Sequence, residues 1–216
     1  AIYFFSDLKL EHIKISFLKE IYYFKFSEIF LILSFTLLAN SMNMFDGINL
    51  QLILFSSFLF FLFALKGFMP IFFILLLICF IFLAILNYKS KVFLGDGGAY
   101  LISIIIGCTF IYQYNNYNNY FSGDEVFIIL IIPAIDMLRL FFMRIIKKKH
   151  PFKGDLNHLH HIVNNFTKNK TLTILITITL SIIPTLMLML NMHTYIILIL
   201  SIIIYLSLIS YLRFKV

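Results

Sequence analysis

Long apolar runs, each close to the length of a membrane-crossing helix, alternate with short polar breaks along most of this chain. The runs lie at 28–43, 50–66, 69–87, 98–113, 125–143, 171–190 and 194–212. About 20 helical residues cross about 30 Å of hydrocarbon, so each run is read as a span, the first and fourth being short. Stop signals separate them: Asp46-Gly47, Lys66-Gly67 with Pro70, Lys89 to Gly98, Asn115 to Glu125, a polar island from Arg144 to His161, and Asn191 to His193. Pro133 and Pro184 fall inside runs, where neighbouring helices can satisfy the carbonyls that a proline frees.

The start of the chain is patterned differently. Residues 1–5 read as the last turn of a preceding span. From Lys9 to Phe26 apolar and polar residues alternate imperfectly, too charged to span and faintly strand-like. The expected architecture is therefore all-α: a polytopic helical bundle of about seven spans. Residues 1–27 form the end of a span plus an extracytoplasmic hairpin-like segment, and 28–216 form the transmembrane core.

Composition agrees: 62% of residues are hydrophobic and 12% charged, against about 45–50% and about 25% in soluble domains. The net charge of +7 is not a nucleic-acid signature, because the cations sit in short loops between spans. It suits an anionic leaflet or an anionic substrate. Cys79 and Cys108 lie within apolar runs without metal-type spacing and are read as small packing residues.

Span parity places the polar clusters. Two runs separate Asp46 from Asp96, and two more separate Asp96 from His158, so all three clusters face one side. That side also carries Lys89, Lys91, Arg144, Lys147, Lys148, Lys149, Lys153, Lys168, Lys170, Arg213 and Lys215. The loops between spans on the other side offer Lys66 with acidic Asp124 and Glu125. The positive-inside rule makes the cluster side cytoplasmic.

Each cluster has an ordinary reading beside a chemical one. In NSMNMFDG, Asn40, Asn43 and Asp46 are spaced three apart and share a helix face. Asp-Gly is a common helix stop, yet an ionisable residue at a span end is a functional candidate. In GDGG at 95–98, Gly95 and Gly98 would let backbone approach a phosphate and Asp96 could hold Mg²⁺, although GDGG also makes a plain turn. In the island, Lys147 to Lys149 serve topology or anion binding. His158, His160 and His161 suit proton transfer or ligation; a closed zinc site would need further ligands that no Cys or other His supplies. His12, His150 and His193 are isolated and read as incidental.

Three motifs in order resemble the polyprenyl-phosphate N-acetylhexosamine-1-phosphate transferases of the glycosyltransferase family 4 type. Asn40-Ser-Met-Asn43-Met-Phe-Asp46-Gly47 is similar to N-x-x-N-x-x-D-G, and Phe93-Leu-Gly95-Asp96-Gly-Gly98 to F-x-G-D-x-G. Pro133-Ala-Ile-Asp136, with Pro151-Phe-Lys-Gly-Asp155-Leu-Asn-His158-Leu-His160-His161, is similar to P-x-x-D and P-F-x-x-D-x-x-H-x-H-H. The H-x-H-H form looks like the N-acetylglucosamine branch. Two features depart from the pattern. Asn49-Leu50 follows Asp46-Gly47 where a further Gly is usual, and no upstream D-D-x-x-D/N motif is present. This chain is therefore expected to be the C-terminal part of a longer enzyme.

The resemblance implies transfer of a sugar-1-phosphate from a UDP-N-acetylhexosamine, UDP-GlcNAc above all, to polyprenyl (undecaprenyl) phosphate. UMP would be released and cell-envelope polysaccharide synthesis begun at a bacterial inner membrane. Asp96 would hold Mg²⁺, or Mn²⁺ in its place, and Asp46 would orient metal or substrate, with Asn40 and Asn43 holding it. His158, His160 and His161, with the basic run that ends at Lys149, would grip the diphosphate, Gly95 and Gly98 would admit it, and Asp155 would be a further substrate-binding residue. Membrane lipids are the surroundings, and a homodimer is admitted. Two rivals remain: a transporter or channel, which wants ionisable residues in mid-span, and an inactive scaffold that binds lipid carriers.

Overall fold

The computed structural model describes residues 8–18, 20–116, 121–150 and 156–215. Near the start, β1 (His12–Ile15) and β2 (Glu20–Tyr23) pair antiparallel, with His12 opposite Tyr23 and Ile15 opposite Glu20. The alternating segment is thus a hairpin. Its turn is tied to the bundle: Ser16 donates from its backbone N–H (2.9 Å) and its hydroxyl (2.5 Å) to the Asp124 carboxylate. Ser16 Oγ also lies 3.1 Å from Thr194 Oγ1.

Everything after the hairpin is helical among the described residues. The helices are α1 (Ser27–Phe45), α2 (Gln51–Leu65), α3 (Pro70–Tyr88), α4 (Gly95–Asn116), α5 (Gly123–Ile129), α6 (Ile131–Ile146), α7 (Leu159–Thr167), α8 (Lys170–Met189) and α9 (Thr194–Lys215). Of these, α1, α3, α4, α8 and α9 are long and apolar enough to cross a membrane, and α5 with α6 forms a sixth, broken span. The all-α polytopic architecture holds.

Two spans differ from the sequence expectation. The run at 125–143 is not one helix: α5 and α6 meet at 78°. Pro133 has no N–H to give the Ile129 carbonyl and its ring crowds that carbonyl, and here the helix breaks one residue later, at Leu130. The helix over the second run, α2, has 15 residues, about 22 Å of rise, less than the about 30 Å hydrocarbon core. It is nonetheless central. Phe55, Leu59, Phe60 and Phe63 are all fully buried, packed between α3 and α8.

The face of α8 towards the core is a line of hydroxyls, Thr173, Thr177, Ser181 and Thr185, all buried. Small residues let membrane helices approach closely. Thr177 and Ser181 satisfy their hydroxyls on the carbonyls one turn back, at 3.0 and 2.8 Å. Facing spans α1 and α4 pack together, which brings the end of α1 and the start of α4 to the same end of the bundle.

Candidate active site

The first motif ends α1. Asn40 and Asn43 occupy its last two turns, half-buried, and Asp46 caps it, its N–H reaching the Met42 carbonyl at 3.0 Å. Beyond Asp46 the chain turns sharply into α2 through Leu50, which has a φ of +73°. A β-carbon disfavours that left-handed conformation. It is held from outside: the Leu50 N–H donates to Asn87 Oδ1 at 2.6 Å.

Asn87, at the end of α3 and 4% exposed, serves both carboxylate loops. Its amide nitrogen donates to the Val92 carbonyl at 2.9 Å, just before Phe93-Leu-Gly-Asp96. Asn49 adds bonds from its own amide to the Asn87 carbonyl (3.0 Å) and Ser90 Oγ (2.9 Å). The residue that departs from the expected glycine therefore fastens one loop to the other. The second motif then opens α4, with Gly95 at φ +64°, a conformation glycine adopts without steric cost. Asp96 lies in the first turn, exposed, among helix N–H groups that favour anions.

The two carboxylates sense each other. Burial raises the Asp46 carboxyl to about 6, and the negative charge of Asp96 adds to the rise. A cation placed there would relieve that repulsion.

The histidines reach the same place from α7. His158 precedes the helix, and His160 and His161 lie in its first turn. The His158 and His160 rings stack with centroids 5.4 Å apart, and His160 and His161 approach to 4.3 Å. His160 packs on the first motif: a β-carbon built on Gly47 would lie 1.8 Å from its Nε2. That glycine is required by close approach. Burial, then the neighbouring His161 and His158, pushes His160 down to about 3 against a smaller opposing pull from Asp136. It is a neutral imidazole near neutral pH, and its buried Nε2 has no hydrogen-bond partner.

Asp136 anchors this loop from α6. Its carboxylate oxygens accept the Leu159 N–H at 3.3 and 3.2 Å, Oδ2 faces His158 Nδ1 at 3.5 Å, and Oδ1 pairs with Arg139 at 2.7 Å. The structure thus brings Asp46, Asp96, His158, His160 and His161 to one end of the bundle with the asparagines. Lys149 is exposed just past α6, where its N–H closes that helix on the Arg144 carbonyl at 2.9 Å. Asp155 lies outside the described residues. Sequence reading missed Asn49 and Asn87 as links, Arg139 and Tyr205. Only Arg139 left a signal, a base one turn from Asp136 within an apolar span.

Among the described residues no three His, Cys, Asp or Glu side chains group closely enough to hold a metal ion. Mg²⁺ needs no such cage: it takes one or two carboxylates and completes its shell with waters and substrate phosphates. The mutually repelling pair Asp46 and Asp96 fits that requirement. An apolar cavity of about 290 Å³ runs from the hairpin, at Leu10 and Ile13, between α1, α4 and the broken span, past Phe35, Gly107 and Ala134, to Ser41 between the motif asparagines.

A broken membrane span, carboxylates at two helix ends and a histidine cluster packed on the first of them mark a polytopic membrane protein. The chain belongs to the glycosyl transferase family 4, which it matches over residues 1–114. That stretch includes both carboxylate motifs and stops short of the histidines. The chain is similar to proteins named undecaprenyl-phosphate alpha-N-acetylglucosaminyl 1-phosphate transferase. The Salmonella typhi protein is 30% identical over 95 residues, 43% of this chain and 26% of the relative. The Haemophilus influenzae protein is 33% identical over 75 residues, 35% and 21% respectively. The Escherichia coli K12 protein is 28% identical over 95 residues, 43% and 26%. The matched stretch thus spans about a quarter of the length of these relatives. No solved structure matches the chain.

Proposed function

We propose that this chain carries the catalytic end of a transferase that moves a sugar-1-phosphate, GlcNAc-1-phosphate first among candidates, from a UDP-sugar to undecaprenyl phosphate. The observation that carries this reading is the packing of His160 on Gly47. It joins a histidine cluster, which lies outside the family match, to the carboxylate pair inside it. The names of the relatives support the same reaction class.

In this reading an oxygen of the lipid phosphate attacks the sugar-bearing phosphorus of the donor. A new P–O bond forms, the pyrophosphate bond breaks, and UMP leaves with the bond electrons. Asp46 and Asp96 would hold Mg²⁺, which when bound offsets negative charge on the phosphates. His160, being neutral, contributes a hydrogen bond rather than a full charge. Asn40 and Asn43 hold the Asp46 end of α1, and Gly95 opens α4 so that its first N–H groups face the anion. The polyprenyl tail lies in the apolar cavity that reaches Ser41. The site faces the cytoplasm, where the nucleotide sugar is made.

The transporter alternative needs free ionisable groups in mid-span. Asp136, in α6, is instead engaged by Arg139 and the Leu159 amide. The deciding experiment is release of UMP from UDP-GlcNAc by the purified full-length gene product. The expected result is release only with polyprenyl phosphate and Mg²⁺ both present. Equal release without lipid would mean a hydrolase, and none under any condition would leave the scaffold.

A further inference from the structure

Tyr205 lies well inside the last helix, α9, in a stretch without any motif, yet its side chain is 1% exposed. Its hydroxyl donates to Asp136 Oδ1 at 2.5 Å and accepts from Arg139 Nε at 2.7 Å. Arg139 in turn donates through Nη2 to Asp136 Oδ1 at 2.7 Å and to the Asn157 carbonyl at 2.6 Å. Two spans and the loop before α7 are thus fastened at one carboxylate.

The division of labour at that carboxylate gives the network a use. Oδ1 is loaded by Tyr205 and Arg139, which fixes the rotation of the carboxylate about its own axis. Oδ2 is then turned towards the loop, where it faces His158 Nδ1 at 3.5 Å and shares the Leu159 N–H with Oδ1, at 3.2 and 3.3 Å. His158 Nδ1 is buried and has no other partner. A ring nitrogen facing a carboxylate is the one that carries a proton, so the fixed carboxylate oxygen dictates how the ring lies. Contacts of this kind are often long in an unliganded site and tighten when substrate binds.

We propose that Tyr205 and Arg139 are positioning residues: through Asp136 they set the orientation of His158 and the register of the H-x-H-H turn. This rests on the functional reading above, in which the histidines meet the donor diphosphate. A purely structural role is the competing account, since any buried ion pair requires satisfied partners. The two differ in what happens when the hydroxyl alone is removed.

Tyr205→Phe keeps the ring and its packing. In the full-length protein, amide exchange at 158–162 should quicken about tenfold, because the Leu159 N–H loses a fixed acceptor, while exchange in α2 and α3 stays as it was. Turnover per folded molecule should fall about 10–100-fold, as when the partner that orients a histidine is lost, with the KM for lipid unchanged. In a His158→Ala background Tyr205→Phe should add nothing. Arg139→Lys, which keeps the charge but loses the fork that bridges three partners, should repeat the pattern if Tyr205→Phe fails to fold. Unchanged exchange at 158–162, or losses that multiply in the double variant, would overturn the proposal. If the wild type shows no transferase activity the functional reading falls, and the exchange measurement alone still decides whether the hydroxyl holds the loop.

Discussion

His160 rests its imidazole on the Cα of Gly47, with Nε2 only 1.8 Å from where a β-carbon would stand. Residues more than a hundred positions apart in sequence therefore share one site through a missing side chain. Gly47→Ala should expel the imidazole and abolish most transferase activity, while helix content by circular dichroism stays at the wild-type level. Retained activity would show that the histidine cluster works away from Asp46.

Asp46 offers a test of stability against function. Its folded-state value, about 6, lies above the usual carboxylate value of about 3.9. Protonation is thus favoured by the fold: the stabilising contribution is full below about pH 4 and is lost as pH rises through about 6. In metal-free buffer, Asp46→Asn should raise the thermal midpoint at pH 7.5, and by less at pH 5. The same variant should be inactive. A gain independent of pH would show that neither burial nor Asp96 penalises the Asp46 charge.

Asp96 and His160 should fail in different ways. Asp96→Asn removes a charged oxygen from a hard cation and should shift the Mg²⁺ dependence of activity to higher concentration. His160→Ala should leave that dependence in place and lower turnover by about 10²–10³-fold, by analogy with loss of an oxyanion donor. Rescue of His160→Ala by high Mg²⁺, with wild-type dependence in Asp96→Asn, would reverse the roles.

Asn87→Ala removes the acceptor of the Leu50 N–H and the donor to the Val92 carbonyl. The cost expected from the stranded groups is about 1–3 kcal/mol, read from denaturant unfolding in detergent. Activity should fall with it, since only the Asn49 bonds are left to join the two carboxylate loops. Asn49→Ala, which leaves the Leu50 bond intact, should be milder on both measures.

Topology is checked by single cysteines. Replacements at Lys91 and Lys149 should be labelled by an impermeant thiol reagent from the cytoplasmic side, and one at Asn116 from the opposite side. Labelling of Lys91 and Asn116 from the same side would break the common face on which the site depends.

The apolar runs and the polar island were legible because hydrocarbon length and charge leave strong local signals. The hairpin was legible too, since Lys9 to Phe26 carries too much charge to span. The break at Leu130 was harder: Pro133 was visible, but a proline can be absorbed in a membrane helix, as Pro184 is within α8, and only packing decides which outcome occurs. The links to Asn87 and Tyr205 left no trace, because each depends on partners 37 or 69 residues away. One asparagine at a span end reads as a cap, and one tyrosine among twelve reads as an interface residue.

The spacing of Asp136 and Arg139 bears on biogenesis. A charged side chain at the centre of a membrane helix costs about 2.5–3.5 kcal/mol at insertion, and α6 carries two before its last turn, where Arg144 lies. One turn apart on the same helix, they can pair as soon as α6 forms, before Tyr205 or the loop at Asn157 has left the ribosome. The translocon would then meet a nearly neutral segment, and neither charge would wait unpartnered in lipid for α9. Separating them, as in Arg139→Ala with Leu138→Arg, would put the cost back at the moment of integration.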